Sequence, residues 1–151
     1  MIVPPDFHVL DRSDCEALIA PQQVGRLALN FRNRVDLEPV HYVCANGHID
    51  GCTQYGTKVD VLAHHPWIAI EVDEMKGLCD WKSVVVHGRI EFPDPDGLPQ
   101  EIARRTEAVK QVGMLIPSAF GAGDPPPMRE LAFGIAVQEI SGRAATSGGT
   151  D

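Results

Sequence analysis

The sequence lacks a long apolar run and an excess of positive charge. A helix that crosses a bilayer needs about 20 consecutive apolar residues, and no such stretch is present. The 151 residues include 13 Lys and Arg against 21 Asp and Glu, which gives a formal net charge of −8 at pH 7. Nucleic-acid phosphates and anionic membrane surfaces repel such a chain. We therefore expect neither a nucleic acid nor a membrane as a partner.

The sequence also has no closely spaced pair of cysteines, and its first residues do not predict a secretory leader. The four cysteines are scattered, and no two have Cys-x-x-Cys spacing: Cys15, Cys44, Cys52 and Cys79. The first residues lack the basic segment and apolar run of a signal peptide. Reduced thiols in a cytoplasmic protein are the simplest expectation.

No pattern in the chain names a catalytic residue or a metal ligand. A Ser-His-Asp arrangement and a nucleophile elbow are both absent. The neighbours His64 and His65 point in different directions at a predicted helix end, and no third ligand stands at a suitable spacing. We expect no metal site.

The sequence does contain enough apolar material for one folded domain. Apolar residues make up 44% and charged residues 23%, which is typical of a folded globular protein. A chain of this length can bury a core of its own. Because the last residues are small and polar, we expect a single domain over residues 1–143 and a flexible tail over 144–151.

Periodicity predicts a mainly β fold with inserted helices. Alternation favours six strands, at residues 24–30, 35–44, around Gly51, and at 67–74, 81–92 and 132–143. Helical spacing favours three helices, which begin near Asp11, at Thr57 and near Leu98. Hairpins join most of the strands, so we predict a small six-stranded antiparallel barrel with helices at its openings. Pro39 cannot donate a ladder hydrogen bond, so its strand should be a local edge or bulged.

Two elements have clearly distinct faces. In the strand over 81–92, one face alternates with a second, amphipathic face that holds Trp81, Ser83, Val85, His87, Arg89 and Glu91. In the third helix, helical spacing predicts a buried stripe formed by Leu98, Ile102, Val109 and Val112. The solvated side is predicted to hold Arg104, Arg105 and Lys110.

On the strand over 67–74, the carboxylates of Glu71, Asp73 and Glu74 are expected to form a solvated or dimer-facing rim.

The segment from Gly51 to Lys58 predicts a strand that runs into a helix prepared for an anion. Thr57 is a good N-cap, and Asp60 stands three residues later, where a capping acid belongs. Unpaired backbone N–H groups and the helix dipole favour a phosphate at this end, and Lys58 adds a charged donor. An ordinary capped helix with a solvated lysine explains the spacing equally well.

Five blocks in sequence order carry a resemblance to a known family. They are Val24-Gly-Arg-Leu-Ala, Glu38-Pro-Val-His-Tyr-Val, Gly56-Thr-Lys, Ile70-Glu-Val-Asp-Glu and Trp81-Lys-Ser-Val-Val-Val-His-Gly. Together, over roughly residues 10–143, the chain resembles the pyridoxamine 5′-phosphate oxidase-like FMN-binding split-barrel family, in the branch that contains nitroimidazole-resistance proteins. The resemblance implies a homodimer with FMN at the subunit interface, in two symmetric sites.

The same resemblance assigns roles to nine residues. Two fall where the family holds the FMN phosphate, namely Thr57 and Lys58. Four fall where one strand lies along the isoalloxazine ring, partly through backbone groups: Pro39, Val40, His41 and Tyr42. Three match the segment that reaches the flavin near the dimer interface: Trp81, Lys82 and Ser83. Arg26, Arg32 and Arg34 are further candidates for the phosphate.

These roles imply an FMN-dependent oxidoreductase that takes electrons from a reduced nicotinamide or a small organic substrate. The flavin would supply the redox chemistry, and the protein would orient it. A carrier, scavenger or redox sensor without turnover, or a barrel that holds deazaflavin or haem, remains an alternative. One departure stands out, since nitroimidazole-resistance proteins carry histidine where this chain has Cys52. That departure argues against a drug-reducing role and favours a buried structural cysteine.

Overall fold

The computed structural model describes residues 4–45, 47–54, 57–94, 96–115 and 130–147. Its seven strands are β1 (Asp6–Leu10), β2 (Val24–Phe31), β3 (Arg34–Ala45), β4 (His48–Gln54), β5 (Trp67–Gly77), β6 (Asp80–Glu91) and β7 (Glu130–Thr146). Its three helices are α1 (Arg12–Ile19), α2 (Thr57–His64) and α3 (Pro99–Leu115). None of the described helices is long and apolar enough to cross a membrane.

Six of the strands close into the predicted antiparallel barrel. They follow the order β7-β4-β3-β2-β5-β6, and pairing of β6 with β7 closes the ring. The count of six was nevertheless one strand short, because β1 adds to β7 beside the ring. Exposed apolar side chains on β1, Phe7 and Val9, do not produce the strict alternation of a half-buried strand.

Two long strands change partners along their length, and these changes split the barrel. The first half of β3 pairs with β2 from residue 34 to His41, and β4 pairs with β3 from His41 onward. On β7, residues 130–135 pair with β4, and residues 142–146 pair with β1. Pro39 therefore has a described strand neighbour on one side only, which confirms the predicted local edge.

Helix α1 closes one end of the barrel. The carboxylate of Asp11 accepts a hydrogen bond from the backbone N–H of Asp14 at 2.8 Å, which confirms the predicted N-cap. The inner side of the helix buries Cys15, Leu18 and Ile19. At its C-terminal end, the Tyr42 hydroxyl of β3 donates to the carbonyl of Ile19 at 2.7 Å. This bond satisfies a buried phenol and a helix-end carbonyl together.

The hairpin turns set the register of the sheet. Arg32 and Asn33 both have positive φ, 52° and 62°, as a two-residue type I′ turn between β2 and β3 requires. Gly47 has φ of 77° in the β3–β4 turn. The stretch between the strands predicted over 67–74 and 81–92 is a tight hairpin, because β5 continues to Gly77 and β6 begins at Asp80. A register shift between Met75 and Gly77 absorbs the irregularity that resembled a loop.

Helix α3 has the predicted extent but a different inward face. Leu98 and Ile102 are 59% and 42% exposed, whereas Ala108 is buried. Arg104, which was predicted to lie on the solvated side, is half-buried and forms an ion pair with Glu91 of β6. The prediction was wrong at these positions because a small residue and a paired arginine pack closely against a sheet, and apolar spacing alone gives no sign of that. It holds at Lys110, which is exposed, and the side chain of Val112 lies outside those described.

Strand β7 extends into the stretch expected to be a tail. Ala144 and Ala145 are buried within it, and both have register partners on β1 and β6. Residues 116–129, and the remainder of the expected tail from residue 148, lie outside the described residues.

Candidate flavin site

A continuous part of the barrel wall is left uncovered by the described helices. Phe7, Ala145, Trp81 and Met75 follow one another across β1, β7, β6 and β5 as register partners, so their side chains share the outer face. The rings of Phe7 and Trp81 lie 6.2 Å apart over Ala145. Phe7 and Met75 are 70% and 64% exposed. The predicted contact residue Trp81 therefore lies in an apolar surface and outside the core.

A charged cluster lies beside this apolar row, on the same outer face. Arg26 of β2 places its guanidinium 3.5 Å from Glu71 and 3.3 Å from Asp73, both on β5. The hydroxyl of Ser83 donates to the other oxygen of Glu71 at 3.2 Å. Ser83 is thus bonded to Glu71, and Glu71 and Asp73 pair with Arg26, so the hydroxyl and the three charged groups form one network.

Glu71 is the most perturbed group of this cluster. Its Oε1 atom is inaccessible to solvent and accepts no hydrogen bond, although the Arg26 guanidinium lies nearby. Burial raises the pKa of this carboxyl, and the neighbouring Asp73 raises it further, against opposing contributions from Ser83 and Arg26. The expected solvated rim of carboxylates is therefore partly buried at Glu71.

Lys58 lies elsewhere, in the first turn of α2. Its ammonium group donates a hydrogen bond to Glu38 of β3 and lies 3.6 Å from Asp36. The hydrogen bond from Lys58 to Glu38 is the main reason why its pKa is raised, so the ammonium stays charged at neutral pH. Thr57 begins the helix, but its side chain is not among those described.

Two more cations surround Lys58. Arg32 lies over the Phe31 ring at 4.9 Å from its centroid, and Lys58 lies 5.9 Å from the same centroid. Arg34 pairs with Asp36 at 3.3 Å. Lys58 and Arg34 therefore face the two carboxylates of Asp36 and Glu38, and Arg32 adds a third cation at the Phe31 ring.

Side chains of the predicted ring-binding segment on β3 divide between two faces. Val40 and Tyr42 are buried in the core, so only their backbone groups remain for a ligand. Pro39 and His41 are exposed on the outer face. His41 pairs in register with Cys52, which is buried as expected of a structural cysteine.

The predicted phosphate ligand Lys58 and the predicted ring contacts Trp81 to Ser83 do not come together within one chain. Glu38, the partner of Lys58, shares a face with the core residue Leu27, its register partner. Trp81 and Ser83 lie on the outer face of β6, and β3 and β6 are three strands apart in either direction around the ring. At about 4.8 Å per strand, that is a separation of roughly 14 Å along the sheet. Within one chain, Lys58 and Trp81 to Ser83 therefore do not form one pocket.

Sequence reasoning missed the carboxylates that hold Lys58 and the partners of Ser83. Alternation along β3 places Asp36 and Glu38 on the same side as Val40, and that pattern was available from the sequence. What it could not supply is the position of α2 over this side, because α2 reaches it through tertiary packing.

A separate cavity of about 260 Å³ lies beside α1 and is lined mainly by apolar side chains, among them Ile49, Val137 and Ile140. The nine residues assigned to the flavin do not line it. Among the described residues, no group of three His, Cys, Asp or Glu side chains is arranged to hold a metal ion.

The model of the pyridoxamine 5′-phosphate oxidase family matches residues 11–144. The chain therefore belongs to this family, as the sequence blocks predicted. It is 24% identical over 150 residues to the uncharacterized protein RA0666 of Rhizobium meliloti, with 93% of this chain and 97% of that protein covered.

Solved structures show the same fold. A FAD-binding protein from Mesorhizobium loti has a TM-score of 0.75 and 25% identity, with 94% of this chain and 98% of that chain covered. A candidate 5-nitroimidazole antibiotic resistance protein from Bacteroides thetaiotaomicron has a TM-score of 0.71, with 96% and 91% covered. At 14% identity, the second likeness concerns the fold alone.

Proposed function

We propose that this chain binds FMN between two copies of itself and acts as an oxidoreductase on a small organic substrate. The observation that carries the proposal is the uncovered outer face, where half-buried Trp81 and Ser83 stand among exposed apolar side chains. A planar ring needs apolar walls and a few fixed polar groups at its edge. Trp81 and the Ser83 hydroxyl, beside Arg26 and Glu71, offer both.

The phosphate end of the flavin is assigned to the start of α2. Lys58 and the backbone N–H groups from Thr57 onward would hold it, with Arg32 and Arg34 as nearby positive charge. The backbone of β3 from Pro39 to Tyr42 would lie along the ring. Lys58 is bonded to Glu38 of β3, which is three strands from the Trp81 strand β6. We therefore assign Lys58 of one copy and Trp81 to Ser83 of its partner to the same flavin.

The bound flavin would supply electron and hydride transfer, and the protein would supply position and charge. Membership of the family supports a flavin, and the Mesorhizobium loti relative is named for FAD binding. FMN in place of FAD is our proposal, as are the reduced nicotinamide donor and turnover itself.

The test starts from purified protein whose bound chromophore is released and identified by mass. We expect one FMN per chain and a dimer by light scattering. FAD in its place would change the cofactor, and haem, deazaflavin or the absence of any bound flavin after incubation would overturn the proposal. Anaerobic addition of a reduced nicotinamide should then bleach the flavin, with recovery on adding an organic acceptor. A bound flavin that is never reduced would indicate a flavin carrier without turnover.

A further inference from the structure

We propose that Glu38 competes with the flavin phosphate for the ammonium of Lys58 and so sets how strongly the site prefers phosphorylated flavins. This inference rests on the proposed function and concerns the regulation of the same site. In the structure, the ammonium of Lys58 is hydrogen-bonded to Glu38 and lies 3.6 Å from Asp36.

The chemistry of the ammonium group limits what it can bind at once. It has three N–H donors in a tetrahedral arrangement. Glu38 and Asp36 already occupy two directions, which leaves one for a third acceptor. Two oxygen atoms that accept from the same nitrogen lie roughly 4–5 Å apart. A phosphate oxygen on Lys58 would therefore lie that close to the Glu38 carboxylate.

At that distance the two anions repel each other, and the repulsion acts on flavins that carry a phosphate. Lys58 and Glu38 are each about one-third exposed, 35% and 33%, so solvent screens part of the effect. The phosphate must either displace Glu38 or tolerate it. Riboflavin has the same ring without the phosphate and does not experience this competition.

Binding of FMN and riboflavin to the purified protein, followed by flavin fluorescence, tests the inference. Glu38→Gln removes one like charge and should tighten FMN about tenfold while riboflavin affinity stays unchanged. Asp36→Asn, at the longer distance from Lys58, should act in the same direction but less. Lys58→Ala should weaken FMN about tenfold. In that background Glu38→Gln should tighten FMN less than it does in the wild type, because it removes a like charge but frees no ammonium.

Glu16→Gln is the matched control, because it changes the net charge equally in an ion pair on α1, with Arg12. It should leave both affinities unchanged. Thermal unfolding of each variant verifies that it is folded. Weaker FMN binding in Glu38→Gln would show that Glu38 positions Lys58, and unchanged binding would show no competition, so either result overturns the inference. If neither flavin binds the wild-type protein, the proposed function fails instead.

Discussion

The two sides of the barrel wall are built in different ways. Helix α3 packs on the side formed by β4 and the start of β7, where the side chains are small: Ala108 of the helix faces a sheet that has Gly134 and Ala132. On the uncovered side, formed by β1, β2, β5, β6 and the first half of β3, large apolar side chains face outward. Leu37, Trp67 and Met75 are 69%, 59% and 64% exposed.

This difference shows which side of the barrel wall is covered within one chain and which side is left open to a partner or ligand. A covering helix needs small residues for close approach, and the sheet beneath α3 supplies them. Large apolar side chains gathered on one exposed face usually mark a binding surface. The uncovered side therefore has the composition of an interface, and the side under α3 has that of an interior.

The largest effect is expected at Leu37, on the β3 border of the uncovered side. Leu37 follows Ala28 and Ala69 across neighbouring strands, so a charge at this position would be buried against a partner seated on that side. We expect Leu37→Glu to weaken dimerisation at least 100-fold, about 3 kcal/mol, as for a large apolar residue buried in an interface. Sedimentation equilibrium measures this change.

Leu98→Glu is the control, because Leu98 is similarly exposed but lies at the start of α3. It should leave dimerisation unchanged. If Leu98→Glu dissociates the dimer and Leu37→Glu does not, the assignment of the two sides is reversed.

The sequence predicted one side of this comparison better than the other. Alternation in β5 and β6 was strong enough to separate core from outer face at Val84 and Val86, both fully buried. The inward side of α3 was not predictable in this way. Arg104 faces the sheet because it pairs with Glu91 and its guanidinium lies over Gly134, which has no side chain. Glu91 and Gly134 are both distant from Arg104 in sequence.

The candidate site shows the same limit. Thr57 and Lys58 were predicted as phosphate ligands from local helix chemistry, which the sequence contains. The carboxylates that engage Lys58 come from another element, so their effect on its charge appears only after folding. The alternation of side chains along β6 placed Trp81 and Ser83 on the correct face. Their neighbours Arg26 and Glu71 could be identified only once the order of the strands was known.

The second prediction concerns the covered side. A Cβ at Gly134 would lie 2.4 Å from the Arg104 guanidinium and 3.1 Å from the Asp50 carboxylate. Gly134→Val should therefore displace Arg104, break its pair with Glu91 and lower the free energy of unfolding by about 2 kcal/mol. Urea unfolding measures the loss.

Ala136→Val is the matched control, since Ala136 is two residues further along β7 and exposed. It should change stability by less than about 0.5 kcal/mol. Equal losses in the two variants would mean that α3 does not depend on close approach at Gly134.

The smallest effect concerns Glu71 on the uncovered side. Because the folded pKa of this carboxyl is raised, the folded state binds a proton more tightly than the unfolded chain does. Stability from this group is then fully present below the ordinary glutamate pKa of about 4.3 and is lost as pH rises from there through the raised value. Glu71→Gln should remove that fall, so its free energy of unfolding should decline less between pH 5 and pH 7.5. We expect a difference below about 1 kcal/mol, because Arg26 beside it is half-exposed.

The same measurement in a monomer sharpens the comparison of the two sides. A partner seated on the uncovered side would remove more water from Glu71 and raise its pKa further. The effect of Glu71→Gln on the pH slope should therefore be larger in the wild-type background than in Leu37→Glu. Glu74→Gln, which breaks the exposed pair with Lys76 on the same strand, should keep the wild-type slope in both. An effect of Glu71→Gln that is equal in the two backgrounds would mean that the partner does not cover this cluster, and that the dimer forms through another part of the face.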